Sequence, residues 1–443
     1  MTTTSDRSVI ECRVIVIHPV SRQLLVPSLD GVFRPARVSI PRGTRPAREV
    51  CTALKDRWGA AVVILDFPLF DENRSACAIA ELIGAEIPPS FSLIRLEQLP
   101  LNELSGQERA HLENLLEDRV NPGPLRIGWL DEARAWVQHA TGRKHRAETG
   151  IEQYNAGRGF ALIRFAMEDG HSYWLKATGN PNQHECGLTA RLCELAPDCL
   201  PALVSIRREW NAWVSKDAGI PLCDTASPVI LEFATCSLGF LQQKTMDEVD
   251  VLLAAGASDQ RTRTLRMCID RIIDYLIDAM GRQSSLKSAP LTRARLLELG
   301  SILRDVCLRV EALGIPDTLL HNDLNRANIL FDGERCVIAD WSEAGVGNPF
   351  LSFERLCRLS AGNPRELRAI YSKVWLEHLD PSAIDEVYRL MPLLAIYAYL
   401  YGRGDWINHT STVSLPFESC ARSLARHMDR AAQSPVLLET LCR

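Results

Sequence analysis

Short apolar runs alternate with turn residues over the first hundred residues of the chain. The runs CRVIVI, QLLVPSL, RVSIP and AAVVIL are rich in β-branched side chains and predict strands, while residues 48–58 predict a helix. A polar, helix-prone stretch follows from residue 97 and ends in Asn121-Pro122-Gly123-Pro124, whose residues resist regular structure. The pattern predicts a separate α/β domain over residues 1–124.

A second pattern begins with the predicted helix LDEARAWVQHATG. Three β-like runs follow it, GIEQYNA, GFALIRFAM and SYWLKA, joined by Gly157-Arg158-Gly159 and by Glu168-Asp169-Gly170. Because glycine-rich turns between such runs are typical of hairpins, we expect a small antiparallel sheet here. Residues 125–225 are therefore predicted to form a small lobe.

Beyond residue 225 the apolar positions change to a helical period. Side chains with the spacing of one helix face are Ile269, Ile272, Ile273, Leu276 and Met280. The same spacing recurs over residues 299–313, and that helix is predicted to end at Gly314 and Pro316. A larger helical lobe is expected over residues 226–443.

The composition is that of a folded globular protein, with 46% hydrophobic and 24% charged residues. A net charge of −5 gives no global field that would favour nucleic acid or an anionic membrane surface. The opening MTTTSDRS does not resemble a secretory signal, and the apolar stretch over residues 391–401 is short and, we expect, interrupted by Pro392. We therefore expect a cytoplasmic protein with neither a nucleic-acid nor a membrane partner.

Fourteen cysteines are scattered along the chain without a Cys-x-x-Cys pair or a Cys/His pattern of zinc-site spacing. Cys186, Cys193 and Cys199 come closest, at uneven gaps. Cysteine is often a small buried apolar side chain in a reducing cytosol, and we interpret these residues in that way.

The segment LLHNDLNRANILFDGERCVIADW, residues 319–341, carries the strongest chemical signal. His321, Asp323, Asn328 and Asp340 lie between two short apolar runs that an Asp-Gly turn separates. Phosphoryl transfer needs a carboxylate that orients the attacking hydroxyl and takes its proton, together with metal ions on the phosphates. Asp323 suits the first task; Asn328 and Asp340 offer the hard oxygen ligands that Mg²⁺ prefers.

Together these residues resemble the aminoglycoside phosphotransferase and choline kinase-like family, whose members carry a His-x-Asp loop, an Asn five residues later and an Asp-Trp, here Asp340-Trp341. The resemblance covers roughly residues 126–443, with specific motifs only in 321–341. It implies an α+β, two-lobed protein-kinase-like fold that transfers phosphate from ATP or GTP, with Mg²⁺, to a hydroxyl of a small molecule. It makes Asp323 the catalytic base, Asn328 and Asp340 the metal ligands, and His321 a loop-organising residue.

The same resemblance predicts a nucleotide site in the small lobe. Lys176, at the end of SYWLKA, is the candidate for the phosphate-binding lysine, and Glu185 is the candidate to hold it, with Glu194 as the alternative. Gly157 and Gly159 would let backbone amides approach the phosphates, although a plain hairpin turn explains these glycines equally well. We expect the NAWVSKDAG segment to cross between the lobes.

Two departures from the family pattern bear on function. Asn322 and Leu324-Asn325-Arg326 replace the small and His/Pro-rich residues that often fill the loop, which affects the fit of the acceptor. Ser352 stands where the family usually has an Asp that braces the catalytic loop; a serine there could still cap the following helix.

The first domain is similar in outline to a Nudix domain: strands, Gly43, the helix over residues 48–58 and Gly59 before another strand. Nudix hydrolysis requires several carboxylates on that helix, and Asp56 is the only acid in the closing stretch. We therefore predict an accessory role for this domain, in substrate recognition or dimerisation. A β-rich scaffold unrelated to Nudix proteins is the alternative.

The sequence thus predicts a Mg²⁺-dependent small-molecule phosphotransferase. The alternatives are a pseudokinase or nucleotide-sensing module without turnover, and a protein whose active part is the first domain. The acceptor cannot be identified from charge, because residues 361–410 hold six acids against five lysines and arginines. Tyr397, Tyr399, Tyr401 and Trp406 could line a pocket, but aromatic residues at helical spacing are more often core.

Overall fold

The computed structural model describes residues 9–27, 33–70, 75–117, 123–146, 150–157, 159–224, 228–359, 364–410 and 417–442. The chain forms two compact units. The first comprises residues 1–186 and 202–217, and the second comprises residues 187–201 and 218–443. The NAWVSKDAG segment lies where the chain passes from the first unit to the second, because the first unit ends at Asp217.

A six-stranded mixed sheet opens the first unit. Its strands are β1 (Val9–Ile17), β2 (Leu24–Pro27), β3 (Ala36–Pro41), β4 (Val62–Phe70), β5 (Ser75–Leu82) and β6 (Phe91–Ile94). The order is β4-β5-β1-β2-β6, β3 also pairs with β1, and the β1–β5 pair is parallel. Since β1 is buried on both faces, its apolar run is continuous: Val14 and Val16 enter one core cluster, Ile15 and Ile17 another.

Three helices accompany these strands: α1 (Pro46–Trp58), α2 (Gly106–Leu116) and α3 (Trp129–Thr141). The first begins two residues before the predicted start because proline fits the first helical position. It ends at Gly59, which adopts a left-handed conformation with φ 67°. Ser105 and Glu108 form a capping box at the start of α2.

A five-stranded antiparallel sheet completes the first unit and confirms the predicted small sheet. Its strands are β7 (Ile151–Gly157), β8 (Phe160–Ala166), β9 (Ser172–Ala177), β10 (Leu203–Arg207) and β11 (Ala212–Lys216), in the order β10-β11-β9-β8-β7. Helix α4 (Glu185–Leu195) follows β9; it begins in the first unit and continues in the second.

The two sheets of the first unit share one apolar core, which holds side chains of β1, β4, β5, α2, α3, β8 and β9. The buried side-chain amide of Gln153 on β7 extends this contact, because its Oε1 and Nε2 atoms bond the backbone of β4. Its Nε2 donates to the Ile64 carbonyl (2.9 Å), and its Oε1 accepts from the Ile64 N–H (2.6 Å). A domain boundary near residue 124 stays a prediction.

The second unit is mainly helical. Its further helices are α5 (Pro228–Gln243), α6 (Val249–Ala254), α7 (Thr262–Met267), α8 (Ile269–Gly281), α9 (Arg293–Ala312), α10 (Phe350–Leu359), α11 (Pro364–Trp375), α12 (Pro381–Arg403), α13 (Glu418–Ala432) and α14 (Pro435–Leu441). The predicted apolar face of α8 is buried, as is most of that of α9. The α+β fold class is thus confirmed.

Two three-stranded sheets carry the loops of interest in this unit. One contains β12 (Ile220–Pro221), β15 (Ile329–Phe331) and β16 (Cys336–Ile338); the other contains β13 (Ser258–Gln260), β14 (Thr318–His321) and β17 (Ala344–Gly347). Strands β14, β15, β16 and β17 follow one another along the chain, so the 319–341 segment joins the two sheets.

The predicted interruption at Pro392 is wrong, because α12 continues through it from Pro381 to Arg403. Proline removes one backbone donor, yet buried neighbours such as Leu390 and Leu393 hold the helix in place. No helix in the described part of the chain combines the length and the apolar character needed to cross a membrane.

Candidate active site

The predicted catalytic loop begins where β14 ends at His321. A short 3₁₀ turn over Arg326–Asn328 leads into β15, and the Asn325 side chain caps that turn by accepting from the Ala327 N–H (2.8 Å). The sequence folds in this way because asparagine readily bonds the backbone two residues later. The loop therefore has a defined shape between two strands.

Two amides hold the carboxylate of Asp323. Nδ2 of Asn325 and Nδ2 of Asn328 lie 3.0 and 3.3 Å from Asp323 Oδ2, and both also donate to the Asp323 carbonyl. The other carboxylate oxygen, Oδ1, lies 3.5 Å from Nη2 of Arg355. The Asp323 side chain nevertheless stays 40% exposed, so a reacting hydroxyl can reach it.

His321 is buried beneath this loop. Its Nε2 lies 3.0 Å from the Ala339 carbonyl, and its ring packs against Trp341 at 4.6 Å between centroids. Burial lowers the pKa of His321, so the neutral ring donates from Nε2. Because Ala339 directly precedes Asp340, this bond ties the end of β14 to the backbone that presents the second acidic residue.

One backbone hydrogen bond links Asn328 to the residue before Asp340, and Asn328 and Asp340 are the predicted metal ligands. The Ala339 N–H donates to the Asn328 carbonyl (2.9 Å), and Asp340 adopts a left-handed conformation with φ 69°. Because the amide nitrogen of Asn328 is directed at Asp323, its amide oxygen is left for other ligands. One amide oxygen and one carboxylate fit Mg²⁺ that takes its remaining ligands from phosphates and water.

Among the described residues, no group of three or more His, Cys, Asp or Glu side chains suited to a metal occurs. A magnesium ion in a kinase-type site is held by one or two side chains together with the nucleotide. The metal-binding roles of Asn328 and Asp340 stay predictions.

Ser352 has a different role from the predicted helix cap. It lies inside α10, whose first residue is Phe350, and the contact at the helix start comes from Asn348 Oδ1, which accepts from the Phe350 N–H (3.1 Å). The Ser352 hydroxyl instead accepts the buried N–H of His321 at 2.9 Å. The serine therefore braces the predicted catalytic loop, the task that the resemblance assigned to an aspartate.

Lys176 and Glu185 form a buried ion pair in the first unit. Lys176 lies on β9 and Glu185 is the first residue of α4, so a strand and a helix terminus position the two charges. The Lys176 ammonium also lies 5.6 and 5.7 Å from the rings of Trp213 and Phe160. Glu194, the alternative partner, instead pairs with Arg191.

Gly157 and Gly159 close the β7–β8 hairpin, with φ of 130° and 81°. Glycine adopts such positive φ values readily, and both a plain hairpin turn and a phosphate-binding turn use glycine for this reason. Arg158 between them lies outside the described residues. The nucleotide roles of Lys176, Glu185 and both glycines stay predictions.

Sequence reasoning missed two residues that contact Asp323, namely Asn325 and Arg355. Asn325 carried a signal, because asparagine two residues after an aspartate is suited to a local turn. Arg355 carried none, since it comes from a helix 32 residues later in the chain. Among the aromatic candidates, Tyr397 and Trp406 are core residues, whereas Tyr399 lies under the Arg355 guanidinium at 4.6 Å.

Asp323, Asn328 and Asp340, with the buried His321 beneath their loop, have the residue types and the chain order of the sites in kinase-type phosphotransferases. Residues 259–387 match the model of the phosphotransferase enzyme family. This match includes the whole of residues 319–341 and confirms the resemblance and the prediction of a phosphotransferase-type enzyme. The Nudix-like outline of the first domain stays a prediction.

Solved structures similar to this chain include three small-molecule kinases or phosphotransferases. A choline/ethanolamine kinase family protein from Mesorhizobium loti is 16% identical, with 71% of this chain and 98% of that chain covered and a TM-score of 0.47. A macrolide 2'-phosphotransferase from Brachybacterium faecium is 17% identical, with 69% of this chain and 98% of that chain covered and a TM-score of 0.43. A putative fructosamine-3-kinase from Thermobifida fusca is 16% identical, with 68% of this chain and 99% of that chain covered and a TM-score of 0.43. The curated proteins include no match.

Proposed function

We propose that this protein transfers the γ-phosphate of ATP or GTP to a hydroxyl of a small molecule, with Mg²⁺ as cofactor. The observation that carries the proposal is the Asp323 carboxylate, which two amides fix on one oxygen while the side chain stays 40% exposed. A general base must be both positioned and accessible, and Asp323 meets both requirements.

In the proposed reaction the acceptor hydroxyl oxygen forms a bond to the γ-phosphorus. The bond from that phosphorus to the bridging oxygen breaks, and the nucleoside diphosphate leaves. Asp323 orients the hydroxyl and takes its proton, and the amides of Asn325 and Asn328 keep the carboxylate in place. Magnesium, when held by Asn328 and Asp340, would neutralise charge on the phosphates.

The alternative of nucleotide sensing without turnover rests on two departures from the family pattern, Ser352 and the altered loop residues. The Ser352 hydroxyl accepts the His321 N–H, so the loop keeps a hydrogen-bonded brace. This contact supports turnover over nucleotide sensing alone. The second alternative, an active first domain, gains no support from α1, whose only acids are Glu49 and Asp56.

The test compares the wild type with Asp340→Ala by thermal shift, using nucleotide with and without Mg²⁺. A matched control is Asp332→Ala, because Asp332 lies in the turn between β15 and β16 and is exposed there. We expect Mg²⁺ and nucleotide together to stabilise the wild type and the control but not Asp340→Ala. A transfer screen over hydroxylated compounds follows with the same preparations. Nucleotide binding without transfer to any compound would favour the sensing module, and equal stabilisation of all three proteins would remove Asp340 from the site.

A further inference from the structure

An arginine lies beside the proposed base. Arg355, on α10, places Nη2 3.5 Å from Asp323 Oδ1, and its guanidinium stacks on the ring of Tyr399 at 4.6 Å. The Arg355 side chain is 26% exposed. The stacking contact orients the guanidinium plane, and the exposure leaves that plane open to a bound molecule.

Most of the hydrogen-bonding capacity of Arg355 is uncommitted. A guanidinium has five N–H donors. Within the described part of the chain the 3.5 Å contact with Asp323 is the one hydrogen bond that Arg355 makes, and it is long for a charge-assisted bond. By contrast, Nε and Nη2 of the neighbouring Arg403 each lie 2.9 Å from Asp405 Oδ2. Arg355, unlike Arg403, can therefore bind a ligand without breaking a close ion pair.

Two acidic residues, Asp340 and Glu343, lie near Asp323 and Arg355. Asp340 is the predicted metal ligand, and burial, followed by the charge of Asp323, raises the pKa of Glu343 and so disfavours its carboxylate form. A cationic acceptor beside Asp323 would meet the positive charge of the Arg355 guanidinium, whose Nη2 lies 3.5 Å from Asp323 Oδ1.

We propose that the acceptor is a small hydroxylated compound that carries a carboxylate or a phosphate close to the hydroxyl, and that Arg355 binds this anionic group. The inference rests on the proposed phosphotransferase function and deepens it. The planar fork of a guanidinium matches the two oxygens of a carboxylate or phosphate, and a group held there places the neighbouring hydroxyl next to Asp323. The transfer step itself is unchanged: Asp323 takes the hydroxyl proton as the new P–O bond forms.

The test uses the full chain, Mg²⁺-nucleotide and three acceptor sets: hydroxy acids, phosphorylated hydroxyl compounds, and neutral or cationic hydroxyl compounds. We expect the wild type to prefer one of the first two sets, and the preferred set identifies the anionic group. Arg355→Met keeps an unbranched apolar stem over Tyr399 but removes the charge. It should raise the acceptor KM by about 10- to 100-fold, the size of a hydrogen-bonded charge contact, and leave nucleotide affinity unchanged.

Arg358→Met is the matched control, since Arg358 is exposed on the same helix. Its KM for acceptor should equal that of the wild type. Arg355→Lys keeps the positive charge without the planar guanidinium fork and should give an intermediate KM. It takes the place of Arg355→Met in the test if that variant does not fold. Efficient transfer to neutral or cationic acceptors, with KM unaffected in Arg355→Met, would overturn this inference while the phosphotransferase function stood. A wild type that binds nucleotide but transfers to no acceptor would overturn both.

Discussion

The two groups of candidate residues, here called the first half in the first unit and the second half in the second unit, are built in opposite ways. In the first unit, Lys176 and Glu185 form an ion pair whose side chains are 11% and 0% exposed. In the second unit, Asp323 is 40% exposed and is held by neutral amides, with a long contact to Arg355. One half thus depends on charge pairing away from water and the other on hydrogen bonds to an accessible carboxylate.

This difference follows from what each half is proposed to do. A lysine that binds phosphates must keep a fixed position and its charge, which a buried glutamate partner on a helix terminus provides. A base must contact the hydroxyl and accept its proton. It therefore has to be oriented, but a tight ion pair would lower its pKa and oppose its protonation. Mutations should accordingly affect stability most in the first half and turnover most in the second.

The largest effect on stability is expected from Lys176→Met. It leaves the Glu185 carboxylate buried without its partner, which costs about 3–5 kcal/mol of the free energy of unfolding. The double variant Lys176→Met/Glu185→Leu should recover most of that loss in a urea titration, while nucleotide affinity stays weak in both.

Lys216→Met provides the control, because Lys216 lies on β11 of the same sheet and is exposed. Its free energy of unfolding should match that of the wild type. A double variant as unstable as Lys176→Met would show that the unpaired carboxylate is not the source of the loss, and the contrast between the two halves would disappear.

A smaller, pH-dependent effect is expected at Glu81 in the first unit. Burial raises its pKa from 4.5 to about 7, although the Gly128 N–H donates to its carboxylate. Because the folded pKa is the higher one, Glu81 stabilises the fold below about pH 4.5 and this contribution is lost as the pH rises through 7.

As the pH rises from 5 to 8, the free energy of unfolding of the wild type should therefore fall relative to that of Glu81→Gln, by up to about 3 kcal/mol. Urea unfolding at both pH values measures this difference. The exposed Glu86→Gln serves as control and should track the wild type. A Glu81→Gln difference that is the same at both pH values would contradict a buried, protonated carboxyl group.

The smallest effect is expected from Ser352→Ala in the second unit. The change leaves the buried His321 N–H without its acceptor, at a cost of about 1–2 kcal/mol, and loosens the loop that carries Asp323. Turnover should fall by about tenfold. Ser352→Asp restores an acceptor and should regain rate; equal rates in the wild type and Ser352→Ala would show that the brace does not position the base.

Local patterns in the sequence predicted much of the fold. Strands β7, β8 and β9 and helices α1, α3 and α8 follow directly from apolar periodicity and glycine turns, because short-range preferences agree with burial there. Pro392 is the exception. A single local rule predicted a break, but packing on both sides keeps α12 continuous.

Contacts between residues distant in sequence were not predictable in the same way. Gln153 bonds Ile64 and Arg355 approaches Asp323 across long stretches of chain, and neither residue type signals its partner. The functional motif was visible because His321, Asp323 and Asn328 lie within eight consecutive residues. Ser352 was noticed only as a departure, and its hydrogen bond to His321 required the structure.

The most direct test of the account is the rate of phosphoryl transfer by Asp323→Asn, measured beside the dissociation constant for Mg²⁺-nucleotide in the same preparation. Asparagine preserves the size of the side chain and cannot accept the hydroxyl proton. We predict that transfer falls by about 10²- to 10⁴-fold while nucleotide affinity stays within about twofold of the wild type. Full turnover in Asp323→Asn would contradict the assignment of the base and, with it, the proposed mechanism.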